Sequence, residues 1–203
     1  MPLSKLEGDS NENSAVLEYK DTWSVIERLE MLFNALGTIT DHKYEKFEAE
    51  VRTKLDQNDA KAFEEGHAKL GQLLGYDAGN RNNTASPDPW WMANGSFCFI
   101  FEDHSDAKPE NSLNVDKARQ ACTHPNWVRE NLPVDKNATI VSILVTPASV
   151  ADDAALPHLK GVLVWNLSDF RKWARTAISV VREIRKQYPN SCLLYTSPSP
   201  RDS

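Results

Sequence analysis

From Trp23 the apolar positions recur at helical spacing through Ile26, Leu29, Leu32, Phe33 and Leu36. This predicts an amphipathic helix with Asp21 as its N-cap and Gly37 as its stop. A second, charged and peripheral helix is expected over 41–55, and a third from an Asp59 cap to about Leu74. The third carries Phe63, His67, Leu70 and Leu74 on one face and ends at Gly75. The pattern then shortens. Trp90-Trp91-Met92 and Phe97-Cys98-Phe99-Ile100-Phe101 flank Asn94-Gly95, the strongest short-range hairpin signal. A short extra strand near Tyr76 fits the same region. A helix is expected from Val115 to about Glu130, interrupted near Pro125. Buried-strand patterns follow at 139–145 and 161–165, with a short helix between them. Ser168 then caps a long helix, 169–188.

The order after residue 59 is therefore helix, two strands, helix, strand, short helix, strand, helix, an α/β arrangement. Residues 1–18 are rich in Asn, Ser and Glu, the composition of a disordered segment, and 19–58 form an N-terminal helical segment. The last twelve residues, 192–203, look like translated sequencing-adapter read-through and are set aside as an artefactual tail, so the α/β unit spans 59–191 and is expected to be truncated.

The chain has 203 residues, 23 Lys plus Arg against 29 Asp plus Glu, and a formal charge of −6. An acidic balance argues against a nucleic-acid coat protein but allows a local basic surface. Cys98, Cys122 and Cys192 form no CxxC pair, which argues against a zinc ribbon or a disulfide framework. No run of 18 apolar residues exists, so no membrane span is expected, and a reducing, cytoplasmic compartment follows. Nucleotide-binding P-loop, dinucleotide-binding, zinc-protease and serine-hydrolase motifs are all missing.

Chemistry concentrates in five features. Glu64 and Glu65 lie on the helix before the sheet, and Pro87-Asp88 stands at a strand start. Glu102-Asp103-His104 closes the next strand. Gln120 and His124 share a face of the following helix at i, i+4 spacing. Six cations, Arg171, Lys172, Arg175, Arg182, Arg185 and Lys186, line one arc of the final helix and are candidate phosphate contacts. With Phe63 at zero on a helical wheel, Glu64 flanks the buried stripe at about 100°, whereas Glu65 points to solvent at about 200°. A two-residue hairpin loop would put Asp88 and Glu102 on opposite faces. A three-residue loop, Asn94-Gly95-Ser96, would set them directly opposite each other, and that register is the one predicted.

These motifs, in this order, resemble the PD-(D/E)xK nuclease superfamily, the restriction-endonuclease-like fold with its α-β-β-β-α-β core. Pro87-Asp88 is similar to its first motif and Glu102-x-His104 to its second, with His104 where the family has Lys. The run from Phe63-Glu64 to Gly75-Tyr76 resembles the family's leading helix. The local pattern of Asp88-Pro89-Trp90-Trp91, Phe101-Glu102-x-His104 and Gln120-Ala121-x-x-His124-x-x-Trp127 resembles nuclease-like modules of bacterial defence systems and DEAD-type helicases.

The resemblance implies a metal-dependent endonuclease acting on DNA. Asp88 and Glu102 would hold Mg²⁺ or Mn²⁺ and Glu64 would assist. Carboxylates suit such oxygen-seeking ions, which lower the pKa of bound water and offset charge on the phosphoryl group. His104, or Lys117 in its stead, would supply the phosphate-side cation. His104 suits this only in part, because an ordinary imidazole is mostly neutral at pH 7. Gln120, His124, Arg171, Arg175 and Arg182 would face the nucleic acid. The His-for-Lys exchange and the acidic balance also accommodate an inactive module on the same fold. Such a module would bind nucleic acid or a partner such as a helicase. A protein-interaction role for the N-terminal helices is a third reading.

Overall fold

A computed structural model describes residues 24–37, 42–80 and 87–188 of the chain. It is an α/β structure with a five-stranded mixed sheet and five α-helices. The helices are α1 (Val25–Leu36), α2 (His42–Leu55), α3 (Ala60–Leu73), α4 (Val115–Asn131) and α5 (Leu167–Gln187). The strands are β1 (Asp77–Gly79), β2 (Trp90–Ala93), β3 (Phe97–Asp103), β4 (Thr139–Thr146) and β5 (Val162–Asn166). They lie side by side in sequence order. The pairs β1/β2 and β2/β3 are antiparallel, and β3/β4 and β4/β5 are parallel. The expectations for 1–18 and 192–203, and for Asp21 and Trp23, lie outside the described residues.

The β2–β3 hairpin adopts the three-residue loop. Ala93 pairs with Phe97 and Trp90 with Ile100, while Asn94 and Gly95 take φ of 52° and 70°. Two successive left-handed residues suit Asn-Gly and few other pairs. Continued outward, this register sets Asp88 across from Glu102.

Alternation along the strands splits the core into two faces. Trp91, Phe101, Ile143 and Val145 pack against α3 and α5. Met92, Cys98 and Ile100 pack against Val128 and Leu132 at the end of α4, and Leu144 packs against Ala121 in its middle. Helix α3 lies close on β2: a Cβ on Gly71 would stand 2.3 Å from Trp91 Cδ1, so only glycine fits there.

Several elements differ from expectation for identifiable reasons. Ser24 caps α1 through a reciprocal capping box with Glu27, and Ile26 of the expected apolar stripe is 69 % exposed. Helix α2 is not peripheral, because Tyr44, Val51 and Leu55 are buried in the core shared with α1, α3 and α5. Asn166 rather than Ser168 caps α5; its side chain accepts from the Ser168 N–H. Helix α4 runs unbroken through Pro125. Proline removes the hydrogen bond to the carbonyl four residues back, that of Ala121. The Ser142 hydroxyl of β4 donates to that carbonyl at 2.6 Å and replaces the lost partner.

Candidate functional site

The C-terminal end of β3 carries two consecutive carboxyls that alternate to opposite sides of the sheet. Glu102 is 3 % exposed and faces α4; Asp103 is 2 % exposed and faces α3. Asp88 approaches from the entry to β2. Its Oδ2 accepts the Asp103 backbone N–H at 2.7 Å, and Pro89 O accepts from Phe101 N at 3.0 Å, extending the hairpin ladder by one rung. Glu64 of α3 is hydrogen-bonded to Asp88. Its neighbour Glu65 turns away and pairs with Lys54 of α2, as the helical wheel separates them.

Charge is crowded here. Burial, reinforced by the negative charges of Glu102, Asp103 and Glu64, pushes Asp88 up to about 9. Burial and the charge of Asp103 push Glu64 up to about 6. Asp88 is thus protonated at neutral pH, and its hydroxyl donates to Glu64. Glu102 behaves differently. Burial favours its neutral form, but a 2.7 Å hydrogen bond from His124 Nε2 and the ammonium of Lys117 on its other oxygen outweigh that. They hold it below the ordinary carboxylate range. Burial works against the charge of Lys117, but Glu102, with Asp106 adding to the effect, holds it in its charged form.

The structure therefore brings Glu64, Asp88, Glu102, Lys117 and His124 together. His124 is 3 % exposed and occupied by Glu102, so its expected place on a nucleic-acid-facing surface is corrected. His104 lies one residue past β3, its backbone N–H tied to Val145 O at 2.9 Å. Burial and the nearby Lys117 charge hold its imidazole below the usual value, so it is neutral at pH 7 and supplies no cation. Lys117 is the cation that meets the carboxylates. Gln120 is exposed on α4.

The basic stripe of α5 is largely tied to the chain's own α2. Arg171 donates to Leu55 O at 2.7 Å, Arg175 to Asp56 at 2.6 Å and Arg182 to Glu48 at 2.8 Å. The expectation of a free phosphate-facing stripe is corrected to that extent. Trp173 on the same helix is 38 % exposed, whereas Trp90 and Trp91 of β2 are buried. Cys98 is fully buried, and burial pushes its thiol up to about 12, leaving it inert.

Sequence reasoning missed one pair. His67, at the centre of the α3 apolar face, is fully buried, and its Nδ1 lies 2.8 and 3.0 Å from the two oxygens of Asp103. The signal was present: a histidine on an apolar stripe needs a polar partner, and Asp103 is the acid that β3 turns toward α3.

Among the described residues, no three His, Cys, Asp or Glu side chains already stand in a metal-holding arrangement. The chemistry of the donor set nevertheless fits a hard divalent cation. Glu64, Asp88 and Glu102 are all oxygen donors, and two of them are driven toward the neutral form by mutual repulsion and burial. Also among the described residues, no helix is long and apolar enough to cross a membrane. No family model, no curated protein and no solved structure matches this chain.

Proposed function

We propose that this chain carries a restriction-endonuclease-like, divalent-metal-dependent nuclease domain that hydrolyses phosphodiester bonds in DNA. Its setting would be a cytoplasmic restriction or defence system, beside a helicase or another subunit. The element order from α3 to β4, with three antiparallel-paired strands and then a parallel crossover through α4, agrees with the α-β-β-β-α-β core of that superfamily. One observation carries the reading. The hairpin register, continued two residues beyond the Trp90–Ile100 pair, sets Asp88 across from Glu102, near enough for the Glu102 charge to act on it, with Glu64 bonded to Asp88 and Lys117 bonded to Glu102.

Glu64, Asp88 and Glu102 would hold Mg²⁺ or Mn²⁺, which when bound supplies an acidified water and offsets phosphoryl charge. His124 holds Glu102 ionised and fixes the orientation of its carboxylate. Lys117, on the first turn of α4, brings a permanent positive charge to within reach of the same oxygens. It fills the role that the family gives to a lysine two residues after the glutamate. Because His104 is neutral, Lys117 is the side chain that would meet the scissile phosphate.

An inactive module binding nucleic acid or a partner protein is the second reading. It is favoured by the two oxygens of Glu102 both being taken by Lys117 and His124. The test is cleavage of plasmid DNA by the purified protein with Mg²⁺ or Mn²⁺. The nuclease reading expects cutting by the wild type and none by Asp88→Ala. DNA binding that weakens with salt, without cutting, would favour the inactive module.

A further inference from the structure

The buried His67–Asp103 pair is not needed to fill the core. Its imidazole sits in a box of aromatic rings, 4.2 Å from Phe101, 4.5 Å from Phe170 and 5.1 Å from Trp91 between centroids. Both residues are essentially without solvent contact, and among the described residues Nε2 of the imidazole has no partner. Burying an acid and an imidazole together costs desolvation that apolar residues of similar volume avoid, and such exchanges are commonly neutral or stabilising. Packing alone would therefore select a phenylalanine and a leucine here.

What the pair does is connect α3, the end of β3 and, through the Asp103 N–H, the mouth of β2, which together carry the three carboxyls of the candidate site. His67 lies one turn beyond Glu64 on α3, at i, i+3, so the two share a helix face. Asp103 directly follows Glu102 on β3, and its backbone N–H is the hydrogen bond that holds Asp88 at the mouth of β2. A rotation of the strand end that freed the Asp103 side chain would also turn that N–H away from Asp88 and turn Glu102 away from His124. We propose that His67 and Asp103 are a positioning pair: by locking α3 to the end of β3 they set the mutual placement of Glu64, Asp88 and Glu102. The pair touches neither substrate nor reacting atoms. Its purpose rests on the nuclease reading; its structural action does not.

The test is the double variant His67→Phe/Asp103→Leu in the full chain, with two readouts. The first is hydrogen exchange of the residue-103 amide, which needs no metal. Loss of the lock is expected to speed this exchange about tenfold or more relative to wild type, while the amides in the middle of β3 and β4 keep their protection. The second is Mn²⁺ binding by calorimetry, expected to weaken about 10- to 100-fold, the usual cost of removing a group that orients metal ligands. Asp103→Asn alone keeps a hydrogen-bonding side chain of the same shape opposite Nδ1 and is expected to retain most of the wild-type exchange protection and Mn²⁺ affinity. Unchanged exchange at residue 103 overturns the inference. So does global unfolding of the double variant, because the pair would then be a requirement of the fold. If the wild type binds no Mn²⁺, the nuclease reading fails, and the exchange measurement still decides the role of the pair.

Discussion

Two carboxyls shielded from solvent in different parts of the structure show how differently the same group is treated. Glu48 on α2 is 3 % exposed and accepts from Arg52 Nε and Arg182 Nε, each at 2.8 Å. Two guanidiniums, one on its own helix and one on α5, complete its surroundings. Asp88 is also largely buried, yet it meets three other carboxyls and one backbone N–H, and it rests protonated, pushed up to about 9. Glu48 is a finished structural joint. Asp88 belongs to a cluster that carries more negative charge than its one ammonium, Lys117, can balance, and perturbed carboxyls of this kind mark functional sites.

The ammonium of Lys117 is the one positive charge among these carboxyls whose removal should have the largest effect. Lys117→Met is expected to lower Mn²⁺-dependent cleavage about 100-fold, the scale for removing one preorganised charged donor, without loss of fold. Equal cleavage by the variant would return Lys117 to an ordinary surface role.

Glu48→Gln should have the opposite profile. Weakening the bonds to Arg52 and Arg182 is expected to cost about 1–3 kcal/mol of stability by denaturant unfolding, with cleavage per folded molecule unchanged. A loss of cleavage beyond the loss of folded protein would erase the distinction between the two regions.

The pH dependence sharpens it further. The Asp88 pKa is raised in the folded state above the ordinary unfolded value near 4, so the folded protein binds more protons and loses stability as pH rises toward 9. Asp103, pushed well above the usual range by burial and by Glu102, adds in the same direction. Between pH 7 and 9 the metal-free protein should lose about 2 kcal/mol or more, read as a fall in Tm, and Asp88→Asn should flatten the slope. A Tm that holds steady or rises in the wild type would contradict the protonation assigned to Asp88.

The smallest effect is expected at Arg175. Its pair with Asp56 is exposed on both sides, 59 % and 50 %, and such pairs contribute under about 1 kcal/mol. Arg175→Gln should leave the salt dependence of DNA binding unchanged. A slope reduced by about 1 would restore that arginine to the phosphate-contacting surface.

Much of this site could be read from spacing alone. The Asn94-Gly95-Ser96 loop set the β2–β3 register, and with it the opposition of Asp88 and Glu102, because a pleated hairpin leaves no freedom once its loop length is chosen. The choice of Glu64 over Glu65 followed from helix periodicity in the same way. Long-range partners were not legible. Nothing local to Arg171, Arg175 or Arg182 reveals that α2 lies beside them, and an amphipathic cationic helix looks the same whether it faces phosphate or acid. Pro125 announced a break that a serine on a different strand repairs. His67 and Asp103, 36 residues apart, meet only once α3 and β3 are packed.

The proposed nuclease chemistry requires Asp88 and Glu102 to converge on one divalent cation. The most direct measurement is Mn²⁺ binding by calorimetry to the wild type, Asp88→Asn and Glu102→Gln at pH 8. Saturable binding is expected for the wild type, falling at least tenfold in each variant. Binding of equal strength to all three proteins, or none to the wild type, would contradict it.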